Sequence, residues 1–425
     1  MNYKISFCTA LAALCAASPL PARQQDVSTA APDVFAMAPD VFAAAPARQT
    51  DNVPTGLDAI LTEIAANNPD LKSLAAELEA RGADNLAGIA LADPEIEFAY
   101  LFGPSEIGRR RDFSVSQSFD FAALTGARRH AVLQENELLA LELRTARRDI
   151  LTAARKLICE ILARNALIAE YALRTERAAR IEEAYRKGLD SGQFSILDYR
   201  KAAVELAEAE GNLEMLEAER HALLAELAVL NGGQAIDIPA SEFPLSVLPP
   251  TFGEWLEQAG DKSSALAYVR AATRLQEARL KLSRSESLPN LSVGYMSEIV
   301  PGEEFRGVKV GISLPLWSAA RKTAGARKQL DAAKMAENQA VLQFRIKARA
   351  LYDNALRLRQ AAGKYDTLAR MDDSRKNLEK ALSAGQISLL DYLNELSFYY
   401  KTLELAIDTQ RQYQLAVADL LALEM

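Results

Sequence analysis

Gly192-Gln-Phe-Ser-Ile-Leu-Asp-Tyr199 returns 193 positions later as Gly385-Gln-Ile-Ser-Leu-Leu-Asp-Tyr392. A second, unrelated pattern repeats at nearly the same offset: Pro94-Glu-Ile-Glu-Phe-Ala-Tyr100 is matched by Pro289-Asn-Leu-Ser-Val-Gly-Tyr295. Two local patterns sharing one offset indicate an internal duplication, with a first copy over 54–238 and a second over 239–425.

Working outward from the repeated turns, proline is absent from Ser105 to Ile238 and from Leu316 to the C-terminus. Proline breaks helix interiors, so these stretches permit long helices. Leu139, Leu143, Ala146, Ile150, Ala154, Leu157 and Ile161 step by three or four and form one helical face. The spacing predicts helices over about 123–188 and 318–384, the first roughly 100 Å long at 1.5 Å per residue. After glycine-marked reversals come return helices over 195–231 and 388–424. The segments 55–90 and 252–287 are of similar length to these, so two short helices placed end to end would match one long one.

Four short segments change from helical period to strict alternation. Phe113, Val115, Phe119 and Phe121 share one face, and Asp112, Ser114, Ser116, Ser118 and Asp120 the other. Ile96, Phe98, Tyr100 and Phe102 oppose Glu95 and Glu97. Leu291, Val293 and Tyr295 form a third apolar face, and Val308, Val310, Ile312, Leu314 and Leu316 a fourth. A period of two with one apolar face is a half-buried strand, giving hairpins over 94–121 and 289–316. Each strand is about nine or ten residues long, enough to cross a bilayer when tilted. Phe102, Phe113, Phe121, Phe305 and Trp317 lie where an interfacial aromatic girdle is expected.

The strand pattern alone suits a soluble sheet equally well. The N-terminus favours a membrane. Lys4 and the apolar run Ile5–Leu14, followed by Ala, Ser and Pro, read as an export signal ending near Ala22. Leu14 stands where a lipid anchor at Cys15 requires a small residue. Residues 23–53, in which Ala31-Pro-Asp-Val-Phe-Ala36 recurs as Ala38-Pro-Asp-Val-Phe-Ala43, form an Ala/Pro-rich tether unable to build a core. Four strands cannot close a barrel, and lipid does not tolerate open sheet edges. A membrane setting therefore demands that several chains share one barrel.

Composition excludes other classes. The formal charge of −8, with no concentrated basic cluster, argues against nucleic acid as a partner. His130 and His221 fall on different predicted helices, and Cys159 stands alone once the signal is removed. No metal-ligand cluster, nucleotide loop or nucleophile elbow is present in the sequence, so neither a catalytic residue nor a cofactor is expected and the chain reads as a non-enzyme. The many Glu, Lys and Arg read as solvated helix faces. A periplasmic adaptor would need a flanking β-rich domain, and a structural coiled coil would leave the alternating strands unexplained.

Beyond the tether, the chain resembles the TolC-like outer-membrane efflux family. The motifs are the repeated Gly-x-x-Ser-(Ile/Leu)-Leu-Asp-Tyr turn, Leu288-Pro-Asn-Leu291 leading into a strand and Gly311-Ile-Ser-Leu-Pro-Leu316 leaving its hairpin. The wording of these motifs is similar to the cation-efflux branch. The resemblance implies a mainly α fold with a small membrane β part: long antiparallel helical hairpins and four strands. It also implies a homotrimer in outer-membrane lipid, in which three chains supply twelve strands to one β-barrel and twelve helices to a periplasmic α-barrel. A periplasmic adaptor (membrane-fusion) protein and an inner-membrane transporter of the resistance–nodulation–division type would complete a tripartite pump. The channel itself would be passive.

By the same resemblance, the turns lie at the periplasmic tip. Gly192, Ser195, Gly385 and Ser388 become candidates for adaptor contact, although helix reversal and N-capping explain them equally well. Asp391 matches an acidic position of the closed entrance, where three copies would favour cations. It also suits a first helical turn. The second acidic position falls at Asn394, which is neutral. Asp198 is the first-repeat equivalent. Ile387 stands where the best-known member of the family has a basic side chain that helps latch the entrance, so the resemblance carries no latch to this chain.

Overall fold

Helix α4 (Ala127–Asp190), 64 residues long, is the first column on which the chain is built; at 1.5 Å per residue it extends about 95 Å. The computed structural model describes residues 55–103, 108–244, 248–315, 317, 319–369 and 373–425. The expected export signal and Ala/Pro-rich tether lie outside the described residues.

Ahead of α4 come α1 (Thr55–Asn67), α2 (Pro69–Ala87), strands β1 (Glu95–Phe102) and β2 (Arg109–Phe119), and the single turn α3 (Phe121–Leu124); α5 (Ile196–Leu230) follows it. The order then recurs as α6 (Phe252–Lys262), α7 (Ser264–Ser285), β3 (Asn290–Val300), β4 (Glu303–Ser313), α8 (Ala319–Ala369), α9 (Asp373–Ser383) and α10 (Leu389–Leu421).

Each expected leading segment is two helices, not one. Pro69 opens α2, and Asn68 caps it by accepting from the Leu71 N–H at 2.9 Å. Pro69 lacks an N–H to continue α1 but suits a first helical turn. Ser263, with ψ 114°, makes the corresponding break between α6 and α7. The second long helix is described as α8 and α9, residues 370–372 lying outside the described residues.

The short helices do stack end to end. Asn68 Nδ2 donates to the Leu230 carbonyl at 2.9 Å, and Asn67 Nδ2 to Asn231 Oδ1 at 3.1 Å, so α5 ends where α1 meets α2. Gly232, at φ +68°, fits there because a Cβ would come within 2.8 Å of the Asn67 carbonyl oxygen. Leu61 and Ile64 of α1, Ile158 and Ile161 of α4 and Leu227 of α5 form the core of this level. In the second half α10 ends against the α6–α7 break: the Ser264 N–H donates to the Met425 carbonyl at 3.3 Å, and Trp255 Nε1 donates to Glu424. Trp255, Tyr352, Tyr413 and Leu420 form its core.

All four strands make one antiparallel sheet in the order β1-β2-β3-β4, so the two hairpins pair with each other through β2 and β3. The register aligns Ile96, Val115, Tyr295 and Val308 in one row, with Phe119, Leu291 and Ile312 in another on the same side. This apolar side is bare: Ile96 is 71% and Val308 75% exposed. The other side carries Ser114, Ser116, Ser292 and Gly294, and Gly294 lies so close to β2 that a Cβ would meet the Val115 carbonyl oxygen at 2.5 Å. Two aromatic expectations are corrected. Phe121 begins α3, because Asp120 caps that turn through the Ala123 N–H. Phe305 pairs with Glu298 and shares the polar side with Lys309, since the alternation of β4 sets it opposite in phase to Val308.

Candidate gating and docking end

Both repeated turns reverse a helix in the same way. Gly192 and Gly385 adopt φ +74° and +68°, in the left-handed region that disfavours other side chains. The chain then closes back on the helix it leaves: the Gln193 N–H donates to the Gly188 carbonyl at 2.7 Å, and the Gln386 N–H to Ala381 at 2.9 Å. Phe194 folds over Gly188 and stacks on Tyr185, ring centres 4.2 Å apart. A Cβ on Gly188 would lie 2.1 Å from the Phe194 ring. In the second turn the smaller Ile387 accompanies Ala381. Gly188 was legible only as part of a reversal; its pairing with Phe194 needed the fold.

The serines begin the next helices. The Asp198 N–H donates to Ser195 Oγ at 3.2 Å, and Ser195 Oγ donates to the Asp198 carboxylate at 2.6 Å. Ser388 and Asp391 repeat this at 3.2 and 2.6 Å, and the Ser388 N–H completes a reciprocal capping box on Asp391 Oδ2 at 3.4 Å. The hydrogen bond from Ser195, and less strongly the nearby Lys201, hold the Asp198 carboxyl below its usual range. Asn394 is exposed, one turn further along α10, and its carbonyl accepts from Ser397 Oγ at 2.7 Å.

Packing joins the two tips. Tyr185 and Ala202 from the first half meet Leu389, Tyr392 and Leu396 from the second, with Ile387 against them. An open cleft of about 370 Å³ sits beside this cluster, lined in part by Arg177, Tyr185, Phe194 and Tyr392.

Two to three turns from Tyr185 along α4, two arginines that the sequence placed on solvated faces are buried. Arg174 is 7% exposed. Its guanidinium lies between the rings of Tyr171 and Tyr400, 4.3 and 3.8 Å from their centres, and binds Glu404 at 2.6 Å and Glu170 at 3.2 Å. Arg177 donates to the Tyr400 hydroxyl at 2.8 Å and lies 3.6 Å from Glu379. Tyr171 donates to Glu404 at 2.9 Å. Burial, first of all, raises both the Tyr171 and the Tyr400 phenols above their ordinary values, so they stay protonated at neutral pH. The network ties α4 to α9 and α10. Nothing in the sequence distinguishes these arginines from their solvated neighbours.

Among the described residues no three His, Cys, Asp or Glu side chains gather as metal ligands, and no helix is long and apolar enough to cross a membrane. The bilayer-length apolar surface is that of the sheet.

The long helices, end-to-end short helices and four-stranded sheet have counterparts among solved structures. The outer membrane protein VceC of Vibrio cholerae superposes with a TM-score of 0.69 at 14% identity, covering 87% of this chain and 96% of that one. CusC, whose structures describe transmembrane channel formation, superposes with a TM-score of 0.69 at 17% identity, covering 88% and 92%. This is the fold of the TolC-like outer-membrane efflux channels. No family model matches the sequence. In sequence, the chain is 24% identical over 264 residues to the cobalt-zinc-cadmium resistance protein CzcC of Cupriavidus metallidurans. The match spans 62% of this chain and 63% of CzcC, less than two thirds of the relative's length. The likeness to the solved channels is one of fold, and to CzcC one of sequence.

Proposed function

We propose that the chain is the outer-membrane duct of a tripartite efflux pump, conducting substrate passively from an inner-membrane transporter to the exterior. One observation carries this: a four-stranded sheet with one bare apolar side and two unpaired edges, β1 and β4, joined to helices of α-barrel length. Closing those edges with two further copies gives twelve strands and satisfies every backbone group in lipid. Uncovered apolar side chains on the helices, including Leu197 and Val204 of α5 and Met335, Leu342 and Ile346 of α8, also need neighbours. The chain is then a homotrimer with its sheet in the outer membrane and its helices in the periplasm. Its two copies of one unit, 54–238 and 239–425, each supply a hairpin and a helical column.

A resistance–nodulation–division transporter and a periplasmic adaptor complete the pump, and the similarity to a cobalt-zinc-cadmium resistance protein favours metal cations as cargo. The adaptor meets the turns at Gly192, Ser195, Gly385 and Ser388. Asp391 and Asp198 place negative charge near the entrance, with Asn394 a neutral position beside them. The Arg174 network holds α10 against α4 and keeps the entrance narrow.

Membrane fractionation, mass determination in detergent and planar-bilayer recording test this together. A detergent-extracted trimer that conducts supports the duct. A mature protein that is soluble and monomeric without detergent overturns it.

A further inference from the structure

The bare side of the sheet changes character along the strands. At the helix end Phe119, Leu291 and Ile312 form an apolar row, and the next holds Gln117, Val293 and Val310, uncharged throughout. At the hairpin end of β2 the same side carries Arg109 and Arg111. Arg109 is registered opposite Phe102, and Arg111 opposite Tyr100 and Ile299. Both arginines are exposed. Among the described residues Arg109 has a neutral partner, donating to the Tyr100 hydroxyl at 3.2 Å. Arg111 has no acidic partner among the described residues. The cation between them in sequence is neutralised on the other side of the sheet: Arg110 binds Asp112 at 2.8 Å and Glu298 at 3.1 Å. On β4, Arg306 is held by Glu304 at 2.7 Å. A neighbouring copy closing onto β1 therefore brings the balanced Arg306–Glu304 pair on this side, with Glu303 on the other.

We propose that Arg109 and Arg111 hold a phosphate of an outer-leaflet lipid, specifically the phosphorylated sugar headgroup of lipid A. The inference rests on the sheet lying in the outer membrane. The surface has the polarity of such an amphiphile. Two guanidiniums with free donors stand at the hairpin end, and Ile96, Phe98 and Tyr100 form an exposed apolar strip below them for acyl chains. Guanidinium binds phosphate through paired, charge-assisted N–H donors that a neutral headgroup cannot engage. The opposite end of the strip has no cation in its rows on β2, β3 or β4, so the contact also fixes which end of the barrel faces the outer leaflet.

The test uses the full-length protein purified in detergent, titrated with lipid A, with dephosphorylated lipid A and with inorganic phosphate, read by native mass spectrometry and thermal unfolding. Wild type should retain lipid A and gain thermal stability from it. Arg109→Gln/Arg111→Gln should bind it about tenfold more weakly, the loss of a charge-assisted hydrogen bond. Arg129→Gln, on a helix, should bind as wild type does. Dephosphorylated lipid A should show the same loss on wild-type protein. Equal lipid A affinity in the double variant overturns the proposal, as does competition by millimolar inorganic phosphate, which would mean an anion site without lipid preference. Conductance of both proteins in planar bilayers separates the two readings. If they conduct and bind lipid A equally, only the lipid inference fails; if neither assembles nor inserts, the duct reading fails with it.

Discussion

The Arg174 guanidinium on α4 stacks 3.8 Å from the centre of the Tyr400 ring on α10, with the Glu404 carboxylate closing the pair at 2.6 Å. This contact spans more than 220 positions of chain and fastens one half to the other. Glu404→Ala removes one of two carboxylates from a buried cation and should cost about 1–2 kcal/mol, toward the low end because Glu404 is part exposed. Thermal unfolding checks the cost. If the network holds the entrance narrow, bilayer conductance should rise in the same variant; unchanged conductance with lowered stability would make the network structural only.

Gly188 and Phe194 should behave as one unit. Gly188→Ala drives a methyl group into the Phe194 ring and should destabilise by about 1–3 kcal/mol. Phe194→Ala alone should also destabilise, by loss of its stack on Tyr185. In the double variant the clash disappears, so the two costs should fall short of adding. A double-mutant cycle by thermal unfolding measures the shortfall, and strict additivity would show that Phe194 moves freely aside.

The capping residues allow structure and charge to be separated. Ser388→Ala should cost about 1 kcal/mol. Asp391→Asn leaves an oxygen for the cap and removes the charge, so stability should change by less than about 0.5 kcal/mol while cation selectivity falls. Selectivity unchanged in Asp391→Asn sinks the entrance ring. At the first tip, the Asp198 carboxyl titrates below its ordinary 3.8. Its contribution is present above that value and is lost as pH falls through the lower folded value. Ser195→Ala should move that acid transition upward, followed by circular dichroism.

Cys159 should be inert until the protein unfolds. It is buried on α4, and burial pushes its thiol up to about 11, so little thiolate exists at neutral pH. Iodoacetamide at pH 7.5 should leave it unlabelled in the folded protein and label it fully in denaturant, as mass spectrometry would show.

The two sides of the sheet should differ in tolerance. Val115→Arg, on the bare apolar side, should cost about 2–4 kcal/mol at the bilayer centre and reduce the assembled trimer recovered from membranes. Ser116→Arg, one position on and facing the polar side, should leave assembly intact. Equal yields would contradict a lipid-facing side.

Periodicity carried most of the fold. The period-two faces of 95–102 and 290–313 and the proline-free helical spans were legible because side chains on one element report its buried side. The breaks at Asn68 and Ser263 were missed for different reasons. Pro69 was visible but equally consistent with a helix start, and Ser263 carries no breaking residue. The serines and Asp391 were legible as caps, whereas Arg174 was not legible at all. A lone arginine on an amphipathic helix looks solvated until Tyr171 and Tyr400, far apart in sequence, are brought to either side of it.

The junctions at Asn68 and Ser263 have a mechanical consequence. At each, a column made of two pieces is cut, whereas α4 in the first half and α8 in the second pass the same level as continuous helices. Tension applied at the first tip should thus be transmitted through the unbroken α4, while the joints held by side-chain amides and chain-end carbonyls should be the first to slide. Such a frame should yield by shear at one level before strain reaches the sheet.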